Sequence, residues 1–426
     1  MFRETQESLS YVRGSERGAP LDTEPRPLGS DLTRREWLWT AAAAGASLGR
    51  AAPAPAGVPS GPVALARCRT YDPAELLPTM RKMFDQLGGL GRLVKGKTVA
   101  IKINLTGAPT YRLGYLPLED THYTHPHVIA AAAHLMAQAG ARRIRVLESL
   151  WSTADPVEEY LLRANWEPRD ILGAAPNVEF ENTNYLGAGK KYLRLAVPFG
   201  GYVYPGFDLN HSYADCDVFV SLAKMKEHNT AGVTLAMKNC FGITPCTIYG
   251  TGAGIDEPSE TPHGGRSMIH AGDRQPSKSA PPEKDPRAPR QDTWRVPRTV
   301  VDLVAARPVH LAIVEGIKTM TGGEGPWIYQ DLKPAAPGVL VAGLNPVSTD
   351  AVAMAVMGFD PMADRGTPPF ERCDSTLKLA EEAGIGTRNL QRIEVAGASI
   401  AEVRFDFAAI RRERRAAPPP PMGVRG

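Results

Sequence analysis

Between Leu222 and Gly242 the chain gathers Lys224, Lys226, His228, Asn229, Lys238 and Asn239 in a stretch otherwise made largely of Ala, Met, Val, Thr and Gly. The apolar run Val218 to Leu222 just before it has the make-up of a buried strand. Open α/β sheets bind ligands beyond the carboxyl ends of their strands, often against the start of the next helix. Ammonium groups at such an edge can hold an anion. An imidazole there titrates near neutrality, so His228 is a candidate acid/base or metal ligand. Lys238 is a candidate electrostatic or covalent anchor for the same ligand. The plain alternative is a solvated, basic loop.

A second set follows another strand. Lys102 lies inside the run Thr98 to Ile103, and Asn104 ends it. A lysine within a buried strand is costly unless it is paired or aimed into a cavity. Thr124, His125, Pro126 and His127 then open a helix whose first N–H groups can meet an anion. Capping at the surface accounts for both histidines equally well, and His134 reads as structural. The third set is Glu315 and Glu324, which flank a glycine-rich stretch after the strand Val309 to Val314. Glycines permit close backbone approach, and carboxylates can bind metal or accept protons. A plain tight turn would look the same.

These sets need a scaffold that brings strand ends together. Strand signals at Thr98 to Ile103, Arg143 to Leu147, Asp217 to Leu222, Val309 to Val314 and Gly338 to Ala342 alternate with helical ones. Helices are predicted over Pro126 to Ala139, after Asp155 as N-cap, from Ser348-Thr349-Asp350 to Met357, and over Ser375 to Ala383, the last before a strand at Arg392 to Val395. The alternation predicts an α/β fold, two-lobed, with largely parallel sheets and flanking helices. The first lobe is expected over 57–246 and the second over 296–411. Between them, 247–295 is rich in Pro, Gly, Ser and charge without an apolar period, and reads as a flexible surface insertion. Residues 412–426, with four consecutive prolines, read as a disordered tail.

Residues 1–56 read as an export signal. Arg34-Arg35 precedes a mildly apolar run, Trp39 to Leu48, too short to span a bilayer, and Ala54-Pro55-Ala56 resembles a cleavage site. Paired arginines with a weak, alanine-rich run favour the twin-arginine route. The translocation machinery of that route is then a partner, and the mature protein is expected to be periplasmic or otherwise extracytoplasmic. No later run is long and apolar enough for a membrane span in the mature protein. A net charge of +3 without a dense Lys/Arg run argues against nucleic acid as a partner. The five cysteines show neither zinc-ribbon nor iron–sulfur spacing. Cys240 and Cys246 are the close pair; a disulfide or simple burial as small apolar residues both fit.

Lys102-x-Asn104, Thr124-His125-Pro126, Leu222 to His228, Gly232 to Gly242 and Glu315-Gly316 resemble the family known as domain of unknown function 362. Gly323 to Pro326 and Gly343 to Asp350 are similar to its second half, so the resemblance spans roughly Val99 to Val395. Some members carry ferredoxin modules, whose cysteine spacing this chain lacks. More distantly, His228, Ala231-Gly232 and Lys238 are similar to the signature of nickel-pincer lactate racemases. That resemblance implies His228 as acid/base and Lys238 as tether of a pyridinium-derived nickel cofactor, and it leaves other metal or organic cofactors open. Two departures stand against it. Glu148-Ser149-Leu150 replaces a Gly-Thr-His-Arg, and Asn104 to Gly107 replaces an Asp-x-Thr-Arg, so the second catalytic histidine is missing. His263 and His270 lie in the insertion.

Together these readings predict an inter-lobe cleft for a small anionic substrate or cofactor. Lys102, Asn104, Lys224, Lys226, His228, Lys238 and Asn239 would form one wall, with Glu315, Glu324 and Asp350 approaching from the second lobe. An enzyme built this way would do proton or hydride chemistry at a carbon bearing oxygen. The alternatives are a non-catalytic protein that binds an anionic ligand and a cofactor-carrying partner of a redox complex.

The leader gives the first test. Replacing Arg34 and Arg35 by lysine should strand a folded precursor in the cytoplasm, as read by cell fractionation. Normal export of the double variant would overturn the assignment.

Overall fold

Val, Ile, Leu and Ala fill the strand segments so densely that both faces of each need cover. The computed structural model describes residues 57–184, 192–253, 262, 264–272, 275–276, 280–328, 332–407 and 409–410. The expected leader and tail lie outside the described residues. The strands are β1 (Val63–Arg67), β2 (Thr98–Lys102), β3 (Arg143–Glu148), β4 (Val178–Asn182), β5 (Tyr192–Ala196), β6 (Gly206–Asn210) and β7 (Val218–Lys224). They continue with β8 (Lys226–His228), β9 (Gly232–Thr234), β10 (Leu311–Gly316), β11 (Thr319–Thr321), β12 (Lys333–Ala335), β13 (Val339–Gly343) and β14 (Val395–Gly397).

Eight strands form one sheet in the order β14-β1-β13-β10-β7-β2-β3-β4. β13 pairs antiparallel with both β1 and β10, and the remaining pairs are parallel. The hairpins β5–β6 and β8–β9 and the pair β11–β12 stand apart from it. The α/β class with a largely parallel sheet and flanking helices is therefore observed. The two expected lobes are not separate sheets. Leu311 to Glu315, from beyond the insertion, pair with Val220 to Lys224, and β1 slots between β13 and β14. Local pattern shows where strands are but not which distant strand each one pairs with.

Successive side chains alternate between the two faces. Val63 and Leu65 enter one core and Ala64 the other; Ala100 and Phe219 face the first, Val99, Ile101, Val218 and Val220 the second. Helices Pro73–Gln86 and Pro126–Gln138 cover the second core, and Asp292–Ala306 and Pro346–Val356 the first. Each fully buried Val, Leu or Ile contributes about 1.5–3 kcal/mol, so the sheet centre is where most of the stability arises. Among the described residues no helix is long and apolar enough to cross a membrane.

Three boundaries differ from expectation. Pro156, not Asp155, is the N-cap of helix Val157–Arg163, and it makes no side-chain cap bond. Asn345 caps helix Pro346–Val356, its Oδ1 accepting from the N–H groups of Val347 and Ser348 at 3.0 Å, so Asp350 sits a turn inside that helix. A single-turn 3₁₀ helix, Leu390–Arg392, occupies the expected strand start, and the strand itself is Val395–Gly397. All five cysteines are buried and free.

The insertion also departs from its composition where it is described. Met268, Ile269 and Ala280 are buried. The buried carboxylate of Glu283 pairs with Arg290 at 2.6 Å and with the buried Arg295 of helix Asp292–Ala306 at 2.8 Å. A segment poor in apolar residues is thus pinned by one carboxylate between two guanidinium groups, which leaves no periodic trace in sequence. Residues 254–261, 263, 273–274 and 277–279 lie outside the described residues.

Glu283→Ala strands the Arg295 charge in the core. It should cost about 3–5 kcal/mol in urea unfolding, the range for breaking one side of a buried pair. A loss below about 1 kcal/mol, typical of exposed pairs, would show that the insertion is not anchored there.

Candidate functional site

From β2 the chain moves outward through β3 to β4; from its neighbour β7 it moves the opposite way to β10. That reversal opens a crevice beyond the carboxyl ends of β2 and β7. A cavity of about 450 Å³ lies there, walled by the segments after β2, β3 and β7, by the glycine-rich turn after β11, and by Gly265, Arg266 and His270 of the insertion.

Its floor is a saturated polar network. Lys102 Nζ meets Glu148 at 2.8 and 2.9 Å, and also donates to Asn239 Oδ1 at 3.3 Å. Glu148 accepts the Leu105 N–H at 2.9 Å. Asn239 takes Asn104 Nδ2 at 3.1 Å and donates to the Lys102 carbonyl and to Ser221 Oγ at 3.1 and 3.0 Å. Burial pushes the Lys102 ammonium down and the Glu148 charge holds it up. Gly242 makes room for the pair, since a Cβ there would fall 2.8 Å from Lys102 Nζ.

Below the floor two further lysines are buried. Lys224 Nζ pairs with Glu315 at 2.7 Å, and the Tyr71 hydroxyl donates to the same carboxylate at 2.7 Å. Lys226 Nζ donates to Asn104 Oδ1 and to the carbonyls of His122 and Glu324 at 3.2, 3.0 and 2.9 Å. Three acceptors use all three N–H groups of an ammonium. Burial pushes the group well below the ordinary lysine range, and the Glu324 charge opposes that push. Asp350 accepts the Ala236 and Met237 N–H groups at 2.8 and 2.9 Å, so it caps the short helix Ala236–Asn239 that carries Lys238. Its burial raises the carboxyl to about 7.

The groups that face the cavity are fewer. His228 Nδ1 accepts the Thr230 N–H at 3.1 Å, so the neutral ring carries its proton on Nε2. Burial, followed by Lys238, His270 and Lys226, holds it well below the ordinary imidazole range. His270 is set the other way. Its Nδ1 must donate to the Arg266 carbonyl at 2.7 Å, which leaves the Nε2 lone pair open, and burial lowers it to about 3. Lys238 Nζ lies 4.3 Å from the centre of the Phe241 ring and has no hydrogen-bond or ion-pair partner among the described residues. Burial, helped by Arg266 and Lys102 and opposed by Glu324, brings its amine down to about 7. Arg266 donates from Nε to the Thr244 carbonyl at 2.7 Å and from Nη2 to those of Ser149 and Gly242 at 2.6 and 3.3 Å. Among the described residues no carboxylate pairs with it, and Nη1 is outside these bonds. Glu324 Oε2 accepts the Asn229 N–H at 3.0 Å and lies 3.9 Å from His228 Nδ1.

Of the residues singled out from sequence, Lys102, Asn104, His228, Lys238, Asn239 and Glu324 line the cavity. Lys224, Lys226, Glu315 and Asp350 do not. They are buried with their polar atoms engaged, and they position others rather than face a ligand. His125 stacks on Tyr71 at 3.5 Å and His127 bonds the Tyr71 carbonyl, both away from the cavity. Arg266, Glu148 and the role of His270 were not foreseen. Their only sequence signal is a lone Gly264-Gly265-Arg266 inside a segment that reads as loop, and an acid at a strand end. Among the described residues no group of three or more His, Cys, Asp or Glu is placed to hold a metal ion. A nickel-bearing cofactor would meet Lys238 and the two imidazoles, with His228 Nδ1 already engaged. That set does not fit a metal held by three protein donors.

Residues 99–355 match the family described as a domain of unknown function, DUF362, and the chain belongs to that family. Over 184 residues it is 30% identical to the thylakoid-associated protein sll1697 of Synechocystis sp., covering 43% of this chain and 50% of that one. The chain thus spans about half the length of this curated relative. A Thermotoga maritima protein of known structure aligns with a TM-score of 0.33 at 12% identity, over 75% of this chain and 60% of that one. The lactate racemase apoprotein from Thermoanaerobacterium thermosaccharolyticum aligns with a TM-score of 0.33 at 11% identity, over 63% and 52%. Overlaps of that size speak to neither ligand nor reaction.

The Lys238 amine should react with an acylating reagent in competition with the exposed lysines. Its labelling should rise through a midpoint near 7, because protonation below that pH removes the lone pair. Peptide mass spectrometry across about pH 5–9 reads this directly. A midpoint near the ordinary 10.5 would mean that water reaches the amine freely.

Proposed function

We propose that the chain binds a small carboxylate or similar anion in this cavity and acts on a carbon bearing oxygen by proton transfer. One observation carries the reading: Arg266 is a permanent cation fixed by three backbone carbonyls, without a carboxylate partner among the described residues. A guanidinium so held is ready to meet an anion through its remaining N–H groups. His228 Nε2–H would donate to an oxygen of the same ligand, in the manner of a neutral imidazole that polarises a carbonyl. The Lys238 amine, brought down to about 7, would take a proton from it, and His270 Nε2 would accept a hydrogen bond beside it. A hydride step would need an acceptor, which a bound organic cofactor would supply.

A purely binding role is the second reading, and the saturated floor favours it: Lys102, Asn104 and Asn239 are already occupied with one another. Such a protein would need Arg266 but no unprotonated base. In either case export by the twin-arginine route would put the function outside the cytoplasm, and a partner in a redox complex would meet the cavity mouth.

Calorimetric titration with lactate and glycolate tests binding. Arg266→Ala should weaken it by about 1.5–3 kcal/mol, the value of a charged hydrogen bond. His228→Ala should weaken it less, by about 0.5–1.5 kcal/mol. Exchange of the lactate Cα hydrogen in heavy water, followed by NMR, separates the readings. Loss of that signal with the wild type but not with Lys238→Ala supports catalysis. Binding unaffected by Arg266→Ala would sink both readings.

A further inference from the structure

Resting on the anion-binding reading, we propose that the ligand is a planar, conjugated ring system carrying the anionic group, seated against Tyr111, Trp151 and Trp327. These three side chains come from three different segments, after β2, after β3 and in the turn after β11, and all line the same cavity. The Tyr111 ring lies 6.0 Å from Trp151 and 5.8 Å from Trp327, edge-on to both, with interplanar angles of 67° and 61°. Trp327 is itself braced edge-on by His122 at 5.7 Å. The rings therefore hold one another at fixed angles, as aromatic pairs prefer.

The backbone has been cleared for them. A Cβ on Gly107 would fall 2.3 Å from Trp327 Cζ3, and one on Gly325 would fall 2.1 Å from its Cη2. A Cβ on Gly265 would come within 3.2 Å of Trp151 Nε1. Gly107 also has a φ of +80°, which other residues rarely adopt. Glycines on three segments thus give way to two indoles. An aliphatic wall of Leu or Val would need no such clearance and would suit an aliphatic ligand equally well.

All three rings are only partly buried, so their surface remains open to the cavity. The cavity lining thus combines aromatic surface with the Arg266 guanidinium and the His228 Nε2–H. The complementary molecule has a flat body and an anionic end. A volume near 450 Å³ admits one or two rings and is within the ordinary range for small ligands. Electron-rich indole and phenol faces favour an electron-poor ring.

Four carboxylates of graded shape test this by calorimetry and tryptophan fluorescence: nicotinate, benzoate, cyclohexanecarboxylate and acetate. Ring–ring contact beyond area burial corresponds to about a two- to tenfold gain in affinity. Nicotinate and benzoate should therefore bind at least about twofold tighter than cyclohexanecarboxylate, which matches their size but is not flat, and should perturb the indole emission. Trp327→Leu should remove that preference while acetate binding is unchanged. Trp151→Leu supplies the same readout if the first variant does not fold. Equal or tighter binding of cyclohexanecarboxylate overturns the planar ligand and leaves the anion site standing. Failure of all four to bind overturns the anion site itself.

Discussion

The ion pair between Lys102 and Glu148 is the constraint around which the cavity is organised. Removing two charges from water costs several kcal/mol per ion, and their attraction repays it only when the remaining hydrogen bonds are also made. Here they are made: Asn239 and the Leu105 N–H complete the pair, and Asn104 ties Asn239 to Lys226. Because β2 and β3 are neighbours, the pair also clamps the two strand ends that flank the crevice. A glycine at 242 is the steric condition for it. The segments that carry Tyr111 and Trp151 start from these same two strand ends.

A cluster of buried lysines explains the state of the one that faces the cavity. Lys102 and Lys224 each have a glutamate, and Lys226 has three oxygen acceptors. Lys238 has only an aromatic face, worth about 0.5–2 kcal/mol. That is too little to offset burial beside Arg266 and Lys102, so its amine comes down to about 7.

Lys102 stood out because a charge in an apolar run demands a partner, and Lys224 and Lys226 as a basic cluster at a strand end, but either signal is the same whether the partner is a ligand or another buried residue. Burial and saturation separate the two cases, and neither is local. The strand segments were legible because their burial on both faces gives continuous apolar runs. The joining of the two expected lobes was not, since the β7–β10 pairing spans the whole insertion. Arg266 and the role of His270 were not legible for a related reason. Their segment is held by the Glu283–Arg295 pair and by backbone carbonyls, so it never needed an apolar period.

The opposite tautomers of the two imidazoles decide how chemistry in this cavity would depend on pH. His228 carries its proton on Nε2, since its Nδ1 accepts the Thr230 N–H, and His270 keeps its Nε2 lone pair, since its Nδ1 donates to the Arg266 carbonyl. With His270 lowered to about 3, neither ring changes charge through the neutral range. Lys238 does, near 7. Below that value its charge would join Arg266 and strengthen the hold on an anion; above it the hold would weaken while the amine became a base. Binding and proton transfer would therefore pull in opposite directions as Lys238 titrates.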